Sequence, residues 1–265
     1  MGGAVNDVAT VPDGVLDLGA GFFNIRGSFR LLGVDLGTQA SLVRQPGGGY
    51  LLLDACGVEG DVARWLDAIT EGGAKLEAVL HLHPFHTVSV REMHERYPRA
   101  ALYGTERHRD KAPDLPWEEE TTEGDAIRAR FADTLRFTVP RGVRLVTDDP
   151  NVHFGSVLAI HDASSTLHVD DTLVYVKLPR PIRWLKRDVL RFHPALGKSL
   201  EPRPGAARDF REWARGLIDE ARDLQHVCAA HSATLRRGGP ELVSSLESAL
   251  AKTENTLAKH TKRYG

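Results

Sequence analysis

The first apolar residues come in short bursts with a period near two. They fall at 22–25, 29–34, 41–45 and 50–54, separated by turn residues that include Gly47, Gly48 and Gly49. That pattern predicts antiparallel strands joined by hairpins. The period then changes. Val62, Leu66 and Ile69 recur at helical spacing within 58–69, and Gly72 and Gly73 stop the run. Residues 76–82 read as a buried strand, 87–97 as a helix ended by Pro98, and 100–104 as another strand. Alternating strand and helix argues for a layered α/β fold.

Residues 105–142 are polar and without clear periodicity, and no element is assigned to them. Strand signals return at 143–147, 152–160, 166–169 and 173–176, punctuated by Asp148-Asp149-Pro150 and by the polar run 162–165. Residues 182–192 read as a helix. A stronger helix spans 206–223, with Phe210, Trp213, Leu217 and Ile218 on one face. A strand at 224–229 and a helix at 241–259, amphipathic through Leu242, Leu246 and Leu250, close the chain. The expected organisation is a loose leader over 1–18 and one domain over 19–265. That domain is built from two βα halves, roughly 19–142 and 143–265.

Composition narrows the function classes. The chain has 265 residues, 34 Lys and Arg against 36 Asp and Glu, and a formal charge of −2. A dedicated nucleic-acid binder carries a basic excess, so no nucleic-acid partner is expected. No apolar run approaches the roughly 20 residues of a membrane helix, so no membrane partner is expected either. The first residues have neither a basic n-region nor an apolar core, and only two cysteines are present, Cys56 and Cys228. Both features point to a reducing cytoplasm. Histidine is the unusual residue: twelve in all, three of them within 81–86.

The segment His81-Leu82-His83-Pro84-Phe85-His86 follows the strand at 76–82 directly. Residues i and i+2 at a strand end point to one side, so His81 and His83 can share an ion. Pro84 disfavours helix at His83 and forces a loop. His86 then starts the next helix, where the returning chain can reach the same pocket. Neutral imidazoles suit Zn, Fe, Ni or Cu. A lone histidine is more often a surface or core residue than a ligand; three in six residues at a strand-to-helix junction favour metal binding.

This segment resembles the His-x-His-x-Asp-His motif of the metallo-β-lactamase superfamily, and four further blocks extend the resemblance along the chain. Residues 50–57, a strand ending in Asp54 and a small-residue turn, resemble the strand that precedes the motif. His153-Phe154-Gly155-Ser156 is similar to its His-x-x-Gly-Ser segment. Residues 166–173, through Asp170 and Asp171, resemble the strand that ends in the metal-bridging Asp. Residues 227–231, ending in His231, resemble the strand that bears the last His. The resemblance implies a four-layer αββα sandwich with a metal site at one edge of two sheets. It implies one metal position held by His81, His83 and His153, another held by His86 and His231, and Asp171 between them. Zn, as one or two ions, is the implied cofactor, with Fe or Mn as the other candidates. The implied chemistry is attack of metal-bound water on an ester, thioester, amide or phosphodiester of a small-molecule substrate.

Phe85 departs from the motif, which has Asp there. A phenyl ring offers no lone pair and removes one negative charge from the second metal position. His86, Asp171 and His231 remain, and three ligands still hold Zn in open catalytic sites. Three outcomes follow: one metal at the three-His position, two metals with the second held weakly, or a vestigial site on a fold used for non-catalytic ligand binding or regulation. Without the motif Asp, Asp171 becomes the candidate proton acceptor. A mononuclear site with Fe would also suit oxygen chemistry.

Other residues read more plainly. His161 is the alternative to His153 as a ligand. His161 and His168 otherwise read as polar residues on strand surfaces, and His94, His108, His193 and His260 as solvated. Asp54 is a structural carboxylate that ties down loops in the resembled family. Asp170 exchanges roles with Asp171 if the strand register slips by one; Asp54 and Asp170 both suit the orientation of metal-bound imidazoles. Lys177, Arg180, Arg183, Lys186 and Arg187 form a basic stretch, read as a solvated helix face before an attractor of anionic substrate. No Gly-x-Ser-x-Gly elbow, phosphate-binding loop or dinucleotide fingerprint is present. The sequence leaves the oligomeric state open, with a homo-oligomer among the allowed assemblies.

Overall fold

The computed structural model describes residues 10–28, 30–31, 34–35, 37–176, 188–230, 233–236 and 238–265. Its first half runs β1 (Val15–Asp17), β2 (Phe22–Gly27), β3 (Arg30–Leu31), β4 (Val34–Asp35), β5 (Thr38–Arg44) and β6 (Tyr50–Leu53). Then come α1 (Gly60–Ile69), β7 (Leu76–Leu80), α2 (Val90–Arg96), β8 (Ala101–Tyr103), α3 (Glu106–Lys111), α4 (Asp125–Arg130) and β9 (Arg136–Thr138). The second half runs β10 (Leu158–His161), β11 (Thr166–Val169), β12 (Leu173–Val176), β13 (Val189–Phe192), α5 (Leu196–Ser199) and α6 (Ala206–Glu220). It closes with β14 (His226–Ala229), β15 (Thr234–Leu235) and α7 (Pro240–Tyr264).

Two sheets carry the architecture. One has the order β1-β2-β5-β6-β7-β8; the other is β15-β14-β11-β10-β9. Pairing is antiparallel from β1 to β6, then parallel across β6, β7 and β8. In the second sheet β11 and β14 are parallel.

Side-chain alternation makes the layers. In β6, Leu51 and Leu53 face the second sheet, whereas Tyr50 and Leu52 face α1 and α2 with Trp65, Leu66 and Met93. In β10 and β14, Ala159 and Cys228 face the first sheet. Leu158, Ile160, Val227 and Ala229 turn instead to the outer helices, against Phe210 and Trp213 of α6 and Leu246 of α7. Three apolar cores therefore separate four layers: helices, sheet, sheet, helices. Burial of each such leucine is worth about 1.5–3 kcal/mol, and a one-residue slip would exchange its two faces, so the apolar alternation fixes the register. The αββα sandwich follows.

Several elements differ from the sequence expectation. Val15–Asp17, inside the stretch expected to be a loose leader, pairs with β2. Residues 105–142 hold α3, α4 and β9. Residues 143–147 form no strand beyond a bridge from Val143 to Leu200. Residues 189–192, placed in a helix by sequence, form β13 on β12, because alternation in Val189–Phe192 pairs it with Leu173–Val176. The basic positions 177–187 lie outside the described residues. Among the described residues, no helix is long and apolar enough to cross a membrane.

Candidate metal centre

The parallel strands end together at one edge of the sandwich, and the candidate ligands follow those ends. The Asp54 amide, just past β6, donates to Leu80 O (2.8 Å), and the His81 amide, just past β7, donates to Tyr103 O (2.9 Å). The Val157 amide, just before β10, donates to Leu82 O (2.9 Å) and joins the second sheet to the histidine loop. Asp54 has the left-handed backbone angle φ 57°, which Asp tolerates better than most residues. From there its Oδ1 accepts the amides of Leu82 (2.8 Å) and His83 (3.4 Å). The His83 ring receives the Phe85 amide at Nδ1 (3.2 Å), which turns Nε2 toward Asp171 Oδ2 at 3.5 Å.

His83, His86 and Asp171 bring one ligand atom each to within 4.8 Å of one another. His86 Nε2 lies 3.8 Å from Asp171 Oδ2, and its Nδ1 lies 3.6 Å from Asp170 Oδ1. Asp54, His86 and Asp170 form a second such group. A neutral imidazole has one lone pair for a metal, so the two groups compete for His86. Thr172 fixes the neighbouring segment: its hydroxyl donates to Phe154 O (2.9 Å) and accepts the Ser156 amide (3.2 Å).

Other expected ligands sit apart. His81 is fully buried against His108 and Trp117, with ring centroids 5.2 and 5.9 Å away, and neither ring nitrogen has a hydrogen-bond partner among the described residues. His153 Nε2 pairs with Pro150 O (2.8 Å), and its ring stacks on Phe85. The His83 and His153 rings are 6.3 Å apart. His81, His83 and His153 thus do not converge as His83, His86 and Asp171 do. His231 lies outside the described residues. Arg107 places its guanidinium 4.3 Å from the centre of the Phe85 ring, a cation–π contact.

Burial sets the electrostatics. It holds His83 well below the usual histidine range, with His86 adding to the effect, so His83 stays neutral and able to ligate. His81 is pushed down to about 3 by burial and then by His108. Burial raises Asp54, but the hydrogen bond and charge of His168 outweigh it and hold Asp54 ionised, below the carboxylate range. Asp170 is raised well above that range by burial and then by the Asp54 carboxylate.

The sequence reading missed the buried polar layer behind this edge. His168, read as a strand-surface residue, is fully buried, and His161 is 4% exposed. His108 and His260, read as solvated, are buried as well. Gln39 Nε2 donates to Val169 O (3.0 Å) and Cys228 O (2.9 Å), and Arg26 donates to Ala229 O (2.8 Å) and Ala230 O (3.3 Å). These two side chains of the first sheet hold the strand ends that lead to Asp170, Asp171 and position 231. The available signal was the polar residue set inside an apolar strand: Asn24 after Phe22-Phe23, and His168 between Leu167 and Val169.

No family model matches the sequence, and no curated protein matches it. Solved structures do. TMB-1 superposes with a TM-score of 0.59 over 91% of this chain and 98% of its own, at 13% identity. The DIM-1 metallo-β-lactamase gives 0.57 over 90% and 97%, at 12% identity. A metallo-β-lactamase from Erythrobacter litoralis gives 0.58 over 90% and 96%, at 13% identity. The chain has the metallo-β-lactamase fold. In this fold the His/Asp cluster sits at the sheet edge where the sequence resemblance implied a metal site, and Phe85 occupies the loop between two of its histidines.

Proposed function

We propose that this metallo-β-lactamase-fold protein is a metal-dependent hydrolase with one cation held by His83, His86 and Asp171. The single observation that carries the reading is the convergence of those three ligand atoms within 4.8 Å. Two imidazoles and a carboxylate form the donor set of open catalytic zinc sites. His83 fits such a role because its buried Nε2 has no hydrogen-bond partner among the described residues and its burial favours the neutral form. When bound, a divalent cation there supplies a water of lowered pKa and a Lewis acid for an ester, thioester, amide or phosphodiester. Asp171 accepts the proton of the attacking water at a carboxylate oxygen. Asp54 orients the His83 segment through the amides it accepts. Phe85 and His153 stack to form one wall of the site. Zn is the proposed metal, with Fe or Mn as alternatives. Both cysteines are buried and free, which suits a reducing compartment; the proposed setting is the cytoplasm and the proposed substrate a small molecule.

The test is elemental analysis of protein purified without chelator, followed by Zn and Fe titration and a screen of esters, thioesters, amides and phosphodiesters. Near-stoichiometric metal with metal-dependent turnover supports the reading. Binding of less than a tenth of an equivalent after loading overturns it and moves the protein to the non-catalytic class.

A further inference from the structure

We propose that His168 is a positioning residue for the metal centre: a buried staple that fixes Asp54, and through Asp54 the segment bearing His83. The inference rests on the metal site proposed above. His168 lies on β11 of the second sheet, yet both its ring nitrogens bond to the first sheet. Nδ1 is 3.0 Å from Ser41 Oγ on β5, and Nε2 is 3.0 Å from Asp54 Oδ2 at the end of β6. His168, Ser41 and Asp54 are all essentially inaccessible to solvent, so water cannot replace either bond.

The hydrogen bonds form one connected chain. The Thr234 hydroxyl donates to Asn24 Oδ1 (2.7 Å), and Asn24 Nδ2 donates to Ser41 Oγ (3.1 Å). Asp54, as a carboxylate, only accepts, so His168 Nε2–H donates to it, and Nδ1 is hydrogen-bonded to the Ser41 hydroxyl. Asp54 then has one oxygen occupied by His168 and the other by the amides of Leu82 and His83. Its backbone is left-handed, a conformation that persists only where its surroundings enforce it. Without His168, a buried carboxylate would lose an N–H donor that ties it to the second sheet. The two sheets carry the two halves of the proposed ligand set, His83 and His86 from one and Asp171 from the other. A residue that ties β11 to the turn after β6 therefore sets the distance between them.

The experiment compares Zn affinity, by competition with a chromophoric chelator, and the melting temperature of the metal-free protein. The variants are wild type, His168→Ala, His168→Gln, Ser41→Ala and a stability control, Leu246→Ala, in the core between the second sheet and its outer helices. His168→Ala should weaken Zn binding by roughly 10–100-fold, the usual cost of losing a partner that orients a metal site. His168→Gln, which keeps an N–H donor for Asp54, should recover most of that loss. Ser41→Ala, less disruptive to folding, should weaken binding several-fold and serves if His168→Ala does not fold. Leu246→Ala should lower the melting temperature with Zn affinity unchanged.

Zn affinity within twofold of wild type in His168→Ala, or in Ser41→Ala if that is the variant that folds, overturns the inference. So does an equal affinity loss in Leu246→Ala, which would make the effect one of general stability. A wild-type protein that binds no metal overturns the functional reading and this inference together. A wild type that binds Zn, with variants that bind it equally well, overturns the inference alone.

Discussion

Phe85 lies flat against His153, with ring centroids 4.1 Å apart and planes inclined by 20°. The contact holds His153 in the wall of the site, turned to Pro150 O, and places a phenyl ring beside the proposed cation. Phe85→Asp exchanges that stack for a carboxylate. It should raise Zn affinity on the order of tenfold, about 1.4 kcal/mol. Calorimetric Zn titration of the two proteins checks this; unchanged or weaker binding in a folded variant counts against a ligand position at 85.

The ligand set separates two histidines that the sequence treats alike. His83→Ala should weaken Zn binding beyond the roughly 10–100-fold that loss of a supporting partner costs, because it removes one of three donors. His81→Gln should cost less than about tenfold, since His81 packs on His108 and Trp117. If His81→Gln proves the more damaging, the three-His position implied by the sequence resemblance is the occupied one.

Acid should destabilise the metal-free protein through His108. Burial lowers it to about 4, whereas the unfolded side chain titrates near 6.5. Between those values the unfolded state binds the extra proton, so stability is full above about pH 6.5 and falls as the pH drops toward 4. The effect is about 3 kcal/mol between pH 7 and pH 4. His108 Nδ1 also accepts the Thr105 amide at the start of α3 (3.2 Å). His108→Gln keeps such a capping contact while removing the titration. Urea melts from pH 7 to pH 4 should show a shallower decline in the variant; parallel declines would exclude His108 as the cause.

Cys56 and Cys228 should be inert in the native state. Burial pushes both thiols up to about 12, and the thiolate is the reactive form. A disulfide exchange reagent at pH 8 should label fewer than about 0.1 thiols per native chain and both after denaturation. In alkali the unfolded thiols ionise first, from about pH 9, so their contribution to stability falls as the pH rises from 9 toward 12. Rapid native labelling would show that the core between the sheets, for Cys228, or the core under α1 and α2, for Cys56, opens readily.

Much of the fold was legible because burial leaves a one-dimensional trace. The alternation in Tyr50–Leu53 sends Leu51 and Leu53 to one core and Leu52 to another, and the helical stripe of Phe210, Trp213 and Leu217 packs as its spacing predicts. Legibility failed where pairing is non-local. Val189–Phe192 is a strand through its register with Leu173–Val176, and a window over 182–192 does not contain that partner. The short helices of 105–142 carry too few turns for a period to emerge.

For the centre, the sequence by itself determined the metal-suited residue types His81, His83 and His86 at a strand end, and its resemblance to a known motif set added Asp171 far along the chain. Ligand chemistry is a property of side-chain type and local spacing. Only the tertiary structure decided which of them meet. It drew His83, His86 and Asp171 together and buried His81 against His108. It also took His168 from an apparent strand surface to the interior, between Ser41 and Asp54. The reason is physical: a strand residue's face is fixed by the local period, but whether that face meets water or another sheet depends on residues 114 and 127 positions away.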